Sequence, residues 1–300
     1  MSIAGKRYLV TGGTGFLGSA LVKGLLAQGA SARVLDDGSR GRPRRLAEVL
    51  DQVELIDGDV RDLDAVRRAA AGVDGVCHLA YVNGTEFFYT KPDLVLDVAV
   101  KGMVNVLDAC KAEGVPELIL ASSSEVYQTP HQVPTPEDVP LVVPDVHNPR
   151  YSYGGGKILC ELMALHVGGA FLKRIVIFRP HNVYGPDMGG EHVVPQLALR
   201  MRRLLDQRGD SDRPRLFPIQ GTGAETRAFV FVDDWTDGVL RVIEHGEHRG
   251  VYHVGTDEET SIADLARAIG RFHGVELTIQ PGPARSGGTA RRCPDITRLR

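Results

Sequence analysis

Cysteine is scarce in this chain. Four occur in 300 residues, Cys77, Cys110, Cys160 and Cys293, and none stands at Cys-x-x-Cys spacing. The ten histidines are scattered too, so no metal site is expected. Reduced thiols in a cytoplasmic protein are the reading that fits. Long apolar runs are missing as well: none approaches the ~18 residues of a membrane span, and "MSIAGKRYLV" lacks the length of a signal peptide. Nor is there an excess of one charge. Thirty-five basic against 38 acidic residues leave a net charge of −3, which gives no reason to expect nucleic acid or a membrane as partner. What is there, 43% apolar and 24% charged residues, is ordinary globular composition with chain enough for a sizeable core.

The first 180 residues alternate short apolar runs with amphipathic segments. Strands are expected at 7–12, 31–37, 53–59, 75–80, 117–123 and 174–180, and helices near 16–28, 62–71, 93–113 and 152–169. The strand runs are almost continuously apolar, which suits strands buried on both faces. Strand–helix alternation of this kind implies an α/β fold with a parallel, doubly wound sheet. After Pro180 the rhythm changes. Helices near 193–205, 233–245 and 261–272, a strand "GVYHVGT" and a polar stretch "DQRGDSDRPR" suggest a smaller, mixed α/β domain over 181–300, whose chain could cross back to the first.

Directly after the first strand, "VTGGTGFLGSALVKGLLAQGA" places Gly12, Gly15 and Gly18 at GxxGxxG spacing, with Phe16 and Leu17 opening the helix. Glycines let the turn be tight and the backbone approach a pyrophosphate, while the helix N-terminus offers free N–H groups and a positive dipole end. Asp36 ends the next strand. Its carboxylate suits the hydroxyls of an adenosine ribose and repels a 2′-phosphate, which favours NAD over NADP; Arg40, Arg42, Arg44 and Arg45 follow closely and could soften that preference. Asp59 and Val60 end the third strand, where an adenine would lie, and Leu79 and Ala80 end the fourth, along the carboxyl edge of the sheet.

The oddest stretch is "YSYGGGK", residues 151–157. Three glycines open an expected helix, at about 0.8–1 kcal/mol each against alanine. Tyr153 and Lys157 are four apart and share a helix face. An ammonium beside a phenol favours phenolate, which would bring Tyr153 into the range of a general base.

In the order "TGGTGFLG", "HLA", "ASSSEVY", "YSYGGGK", "RPHNVYGP", "GTGAETRAFVFVDD" and "RRCPDI", the chain resembles the extended short-chain dehydrogenase/reductase family, in its nucleotide-sugar epimerase, dehydratase and decarboxylase branch. The resemblance implies a Rossmann domain that holds NAD and a smaller domain that holds a nucleoside diphosphate sugar. It makes Tyr153 the general base, Lys157 its ribose-binding partner and Ser123 the hydroxyl that hydrogen-bonds the sugar. Ser124, Asn182, Arg227 and Arg292 match substrate-binding positions, the last near the diphosphate or sugar. A 4-keto sugar acidifies its neighbouring protons, so Glu125, in a Ser-x-Glu context, is a candidate additional base. The leading expectation is an epimerase working through a transient 4-keto sugar; the alternatives are a 4,6-dehydratase or a UDP-glucuronate decarboxylase using Glu125. From another class stands a non-catalytic NAD-binding sensor or scaffold. Relatives carry a small residue after the tyrosine and Ser or Thr before the lysine, where Gly154 and Gly156 stand, so the glycines could admit a bulky sugar or a close backbone approach. A homodimer built on the helices near 93–113 and 152–169 is also implied, with Leu96, Val100, Val104 and Leu107 on its face. Phe87, Phe88 and Tyr89 sit where a substrate lid could lie.

Overall fold

Apolar strand segments and the helices between them assemble in the order β1 (Arg7–Thr11), α1 (Phe16–Ala27), β2 (Ser31–Asp36), β3 (Val53–Asp57), α2 (Leu63–Ala70), β4 (Gly75–His78), α3 (Thr85–Thr90), α4 (Pro92–Glu113), β5 (Glu117–Ala121), α5 (Tyr151–His166) and β6 (Arg174–Pro180). Ends are set by local chemistry. Asp62 caps α2 by accepting from the Asp64 and Ala65 N–H groups, and Gly114, in the left-handed region, stops α4. The computed structural model describes residues 2–206, 214–284 and 287–300. Most of the polar stretch 206–215 therefore lies outside the described residues.

Then follow β7 (Val183–Tyr184), α6 (Val193–Asp206), β8 (Arg215–Pro218), β9 (Thr226–Ala228), β10 (Val230–Phe231), α7 (Val232–His245), β11 (Gly250–Val254), β12 (Glu259–Ser261), α8 (Ile262–Phe272), β13 (Leu277–Gln280) and β14 (Arg291–Arg292). The main sheet has seven parallel strands in the order β11-β6-β5-β4-β1-β2-β3. Strand order reverses between β1 and β4, the switch point where doubly wound sheets open a crevice at their carboxyl ends. The seventh strand comes from the C-terminal half: β11 pairs with β6 from Gly250 opposite Val176, and α7 packs beside α1. Smaller sheets order as β12-β9-β14, β10-β7 and β13-β8.

Two apolar layers flank the main sheet. One joins α2, α4 and α5 through residues such as Val66, Met103 and Cys160, the other α1 and α7 through Leu21, Leu25 and Trp235. β3 departs from the expectation of two-sided burial: as the edge strand it leaves Glu54 and Leu55 exposed. A third, smaller core gathers Leu197, Met201, Phe217, Ile219, Ala266 and Leu277. On α4, Leu107 is buried while Leu96, Val100 and Val104 stay exposed, beside exposed Leu159 and Leu162 of α5. No helix among the described residues is long and apolar enough to cross a membrane.

Candidate active site

The β1–α1 loop supplies the first wall. Gly12 has φ +72, and a Cβ there would come within 2.8 Å of Ala80 Cα; one on Gly18 would collide with the Gly12 carbonyl. Gly15 stands at the N-cap of α1 with no side-chain cap, so the N–H groups behind Phe16 and Leu17 open onto the loop. The Thr14 hydroxyl is buried and lacks a hydrogen-bond partner. A cleared backbone, free helix N–H groups and an orphaned hydroxyl are what a pyrophosphate satisfies, so these residues fit a dinucleotide. Leu79 and Ala80 edge the same crevice, their N–H groups donating to Thr11 Oγ1.

The Asp36 carboxylate is held at the end of β2, accepting from the Thr14 and Gly38 N–H groups, both at 2.9 Å. The arginines that could have softened its preference are engaged elsewhere. Arg44 and Arg45 bond Asp187, and Arg40 pairs with Glu191 while lying over the Phe87 ring. Arg42 donates to the Gly41 carbonyl. On β3's far side, the Asp59 carboxylate is taken by Arg61 at 2.5 Å, and the buried Val60 gives its carbonyl to Asn105.

β5 ends at Ala121, and the chain passes through Ser122 and Ser123 into a 3₁₀ turn over Ser124–Tyr127. Ser123 Oγ caps that turn by accepting from the Glu125 N–H at 3.1 Å, and Ser124 is buried within it. Tyr153, buried on α5, is hydrogen-bonded by Ser123. Its acidity runs against expectation. Burial pushes the phenol up to about 12, against the downward pull of the Ser123 hydrogen bond; Glu125 adds to the rise and Arg292 opposes it. The Lys157 ammonium does not do the expected lowering because it is directed elsewhere. Its Nζ donates to the Ala121 carbonyl at 2.7 Å and lies 3.9 Å from the Tyr81 ring centroid, and burial pushes it down to about 8.

At 154 and 156 the glycines make room for neighbouring parts of the chain, at 154 through the close backbone approach that the sequence allowed. A Cβ on Gly156 would collide with the Tyr81 hydroxyl, and one on Gly154 would lie 2.7 Å from Gln128 Nε2 and 2.9 Å from the Glu125 carbonyl. Gly155 is different: its Cβ would meet only Val143, at 3.4 Å. Gly155→Ala is therefore expected to raise stability by about 0.5–1 kcal/mol, and Gly156→Ala to lower it by about 1–3 kcal/mol, both read from urea unfolding. The stretch 85–90 is a short helix whose Phe88 is buried and stacks on Tyr153, with centroids 4.8 Å apart, while Tyr81 meets that ring edge-on at 5.1 Å. Two aromatics thus fix the plane of the phenol.

Glu125 is not a free base. Arg292 bonds its Oε1 at 2.7 Å and Arg150 lies 3.7 Å from its Oε2. Burial alone would raise this carboxyl, yet Arg292 and Arg150 hold it below the usual carboxylate range. Arg227, which burial pushes down to about 10, feels both Arg292 and Glu125 and donates to the Thr289 carbonyl. Residues of this cluster carry buried polar atoms without partners, Gln128 Oε1, Arg150 Nε and Arg292 Nε, as do Ser152 (Oγ) and Asn182 (Nδ2). Each such group costs free energy until a ligand or water meets it. The structure therefore brings Ser123, Glu125, Tyr153, Arg227 and Arg292 to one place, with Lys157 on the inner side of the helix. Tyr81, Gln128, Arg150 and Thr289 join them without having been expected, while Phe88, placed by the sequence where a lid could lie, is instead buried against the Tyr153 ring. Arg150 alone carried a signal, three residues before Tyr153 and so on its helix face.

Residues 8–255 match the model of the family described as NAD dependent epimerase/dehydratase. The chain belongs to this family. A UDP-glucose 4-epimerase of Mycolicibacterium smegmatis is 33% identical over 98% of this chain and 91% of its own length. A dTDP-4-dehydro-6-deoxy-D-allose reductase of Streptomyces bikiniensis is 30% identical over 99% and 90%. Among solved structures, the UDP-glucose 4-epimerase of Thermus thermophilus in complex with NAD superposes with a TM-score of 0.83, at 28% identity over 98% of this chain and 91% of that one. This member of the epimerase/dehydratase family is thus an NAD-dependent enzyme of nucleotide-sugar chemistry, and the sensor or scaffold reading falls.

Proposed function

We propose that the protein is a nucleotide-sugar epimerase acting through a transient 4-keto sugar. The observation that carries this reading is the charge cluster beside Tyr153. Three guanidiniums, of Arg150, Arg227 and Arg292, face one carboxylate, Glu125, and leave two positive charges. A nucleoside diphosphate sugar with a neutral hexose brings two negative charges in its diphosphate, so the balance closes. A uronic acid would add a carboxylate with no cation left to meet it, and buried unpaired charge is costly.

Bound NAD supplies the nicotinamide that takes a hydride from the sugar carbon and returns it. Gly12 to Gly18 and Thr14 would hold its pyrophosphate, Asp36 its adenosine ribose, Asp59 and Val60 its adenine end, Leu79 and Ala80 the crevice wall, and Lys157 the second ribose. Ser123 orients the sugar hydroxyl, and Tyr153 accepts its proton as the ketone forms, then returns it to the same oxygen once the keto sugar has turned its other face for reduction. Phe88 and Tyr81 keep the phenol aimed and exclude water. Asn182, Arg227 and Arg292 would bind the diphosphate side and Ser124 the sugar.

Glu125, gripped by two arginines, is a positioning group in this scheme, which disfavours the dehydratase and decarboxylase readings. Glu125→Gln is expected to lower turnover by less than about tenfold, whereas loss of a true base costs about 10²–10⁴. Product NMR with a panel of sugar nucleotides tests the reaction itself: inverted configuration supports it, while a lost water or released carbon dioxide contradicts it. The exposed apolar row of α4 and α5 supports a homodimer.

A further inference from the structure

Gln128 combines features that its role in the fold does not explain. It follows the 3₁₀ turn with φ +54 and ψ −102, a backbone that non-glycine residues seldom adopt. The residue is 3% exposed. Nε2 donates to the Glu125 carbonyl at 2.5 Å, which assigns the amide's orientation and leaves Oε1 as its free acceptor. That Oε1 is buried and accepts nothing. Gly154, next to Tyr153, has no side chain where a Cβ would press on this amide. Thr289 then links the residue to the arginine cluster, its hydroxyl donating to the Gln128 carbonyl and accepting from Arg292 Nη2, each at 3.0 Å. A strained backbone, and an unmet acceptor on an amide packed against Gly154, the residue after the proposed general base, are features of a ligand-reading group.

We propose that Gln128 is a specificity-determining residue whose Oε1 accepts a hydrogen bond from a donor on the sugar ring, a hydroxyl or an acylamino N–H. It rests on the nucleotide-sugar reading above and adds to it which end of the substrate is read. Arg150 Nε and Ser152 Oγ, the latter one residue before Tyr153, are likewise buried without partners. An acceptor at this point selects against a sugar whose matching substituent is deoxygenated, because both partners are then left unpaired.

The test uses full-length protein with NAD and four probes: UDP-glucose, UDP-galactose, UDP-N-acetylglucosamine and UDP alone. Gln128→Gly suits the local backbone and is expected to melt no lower than wild type. Its KM for the processed sugar nucleotide should rise about tenfold, while its affinity for UDP stays within about twofold of wild type. Gln128→Glu, which keeps an acceptor oxygen, should recover part of the loss. Loss confined to the N-acetyl sugar identifies the acylamino donor; loss shared by the hexoses identifies a ring hydroxyl. An unchanged KM in Gln128→Gly overturns the inference, as does equal weakening of UDP and sugar nucleotide, which would mark a merely structural role. Wild-type protein that neither binds nor turns over any probe sinks the underlying reading, and this inference with it.

Discussion

Tyr153→Phe is expected to lower turnover of the sugar nucleotide by about 10²–10⁴ while leaving NAD binding and melting temperature near wild type. The ring is held by Phe88 stacked on one face and Tyr81 against its edge, and phenylalanine keeps both contacts. What it loses is the oxygen that Ser123 bonds and that, in the proposed mechanism, takes the proton as phenolate. Burial raises this phenol, and the Ser123 hydrogen bond is the strongest influence drawing it back toward phenolate. Ser123→Ala should therefore reduce turnover as well, and the double variant should cost less than the product of the two losses, since they act on one proton. Single-turnover assays with each variant check this.

The largest effect on stability is expected behind the site. Arg179 of β6 and Glu161 of α5 form a buried pair, with Nε to Oε1 at 2.9 Å and Nη2 to Oε2 at 2.6 Å, and both side chains are at most 5% exposed. Ser122 donates to the same Glu161 oxygen, and Arg179 also bonds Tyr127 and the Glu137 carbonyl. Tyr127 in turn meets His253 of β11 at 2.7 Å. One network thus ties α5, β6, β11 and the turn carrying Ser123. Glu161→Gln leaves the guanidinium buried without its counter-charge and should lower unfolding free energy by about 3–5 kcal/mol. Arg179→Met with Glu161→Leu removes both charges and should cost much less, a non-additivity that urea unfolding of the single and double variants measures.

The parts legible in the sequence were those with short-range causes. The glycine turn before α1, the runs that became β1 to β6 and the Tyr153–Lys157 helix pair all follow from spacing over a few residues. Strand order and the return of β11 to the main sheet depend on packing that spacing does not encode. The chemistry of Glu125 shows the same limit: its partner Arg292 lies 167 residues away, so the acid read as a free base is an ion-paired one. Lys157 was read as the tyrosine's partner from helix geometry, yet Tyr81 and the Ala121 carbonyl, from two other strands' ends, compete for the ammonium. The glycines at 154 and 156 looked like space for a ligand because the side chains that fill it, Gln128 and Tyr81, belong to distant segments.

The most direct measurement is rapid mixing of the NAD-loaded protein with a processed sugar nucleotide carrying deuterium at C4, followed by the near-ultraviolet absorbance of reduced nicotinamide. If Tyr153 takes the hydroxyl proton as hydride leaves that carbon, absorbance rises transiently, more slowly than with the protium sugar, and not at all with Tyr153→Phe. A product with inverted C4 formed without any such rise, or an equal rise in the phenylalanine variant, would contradict the account.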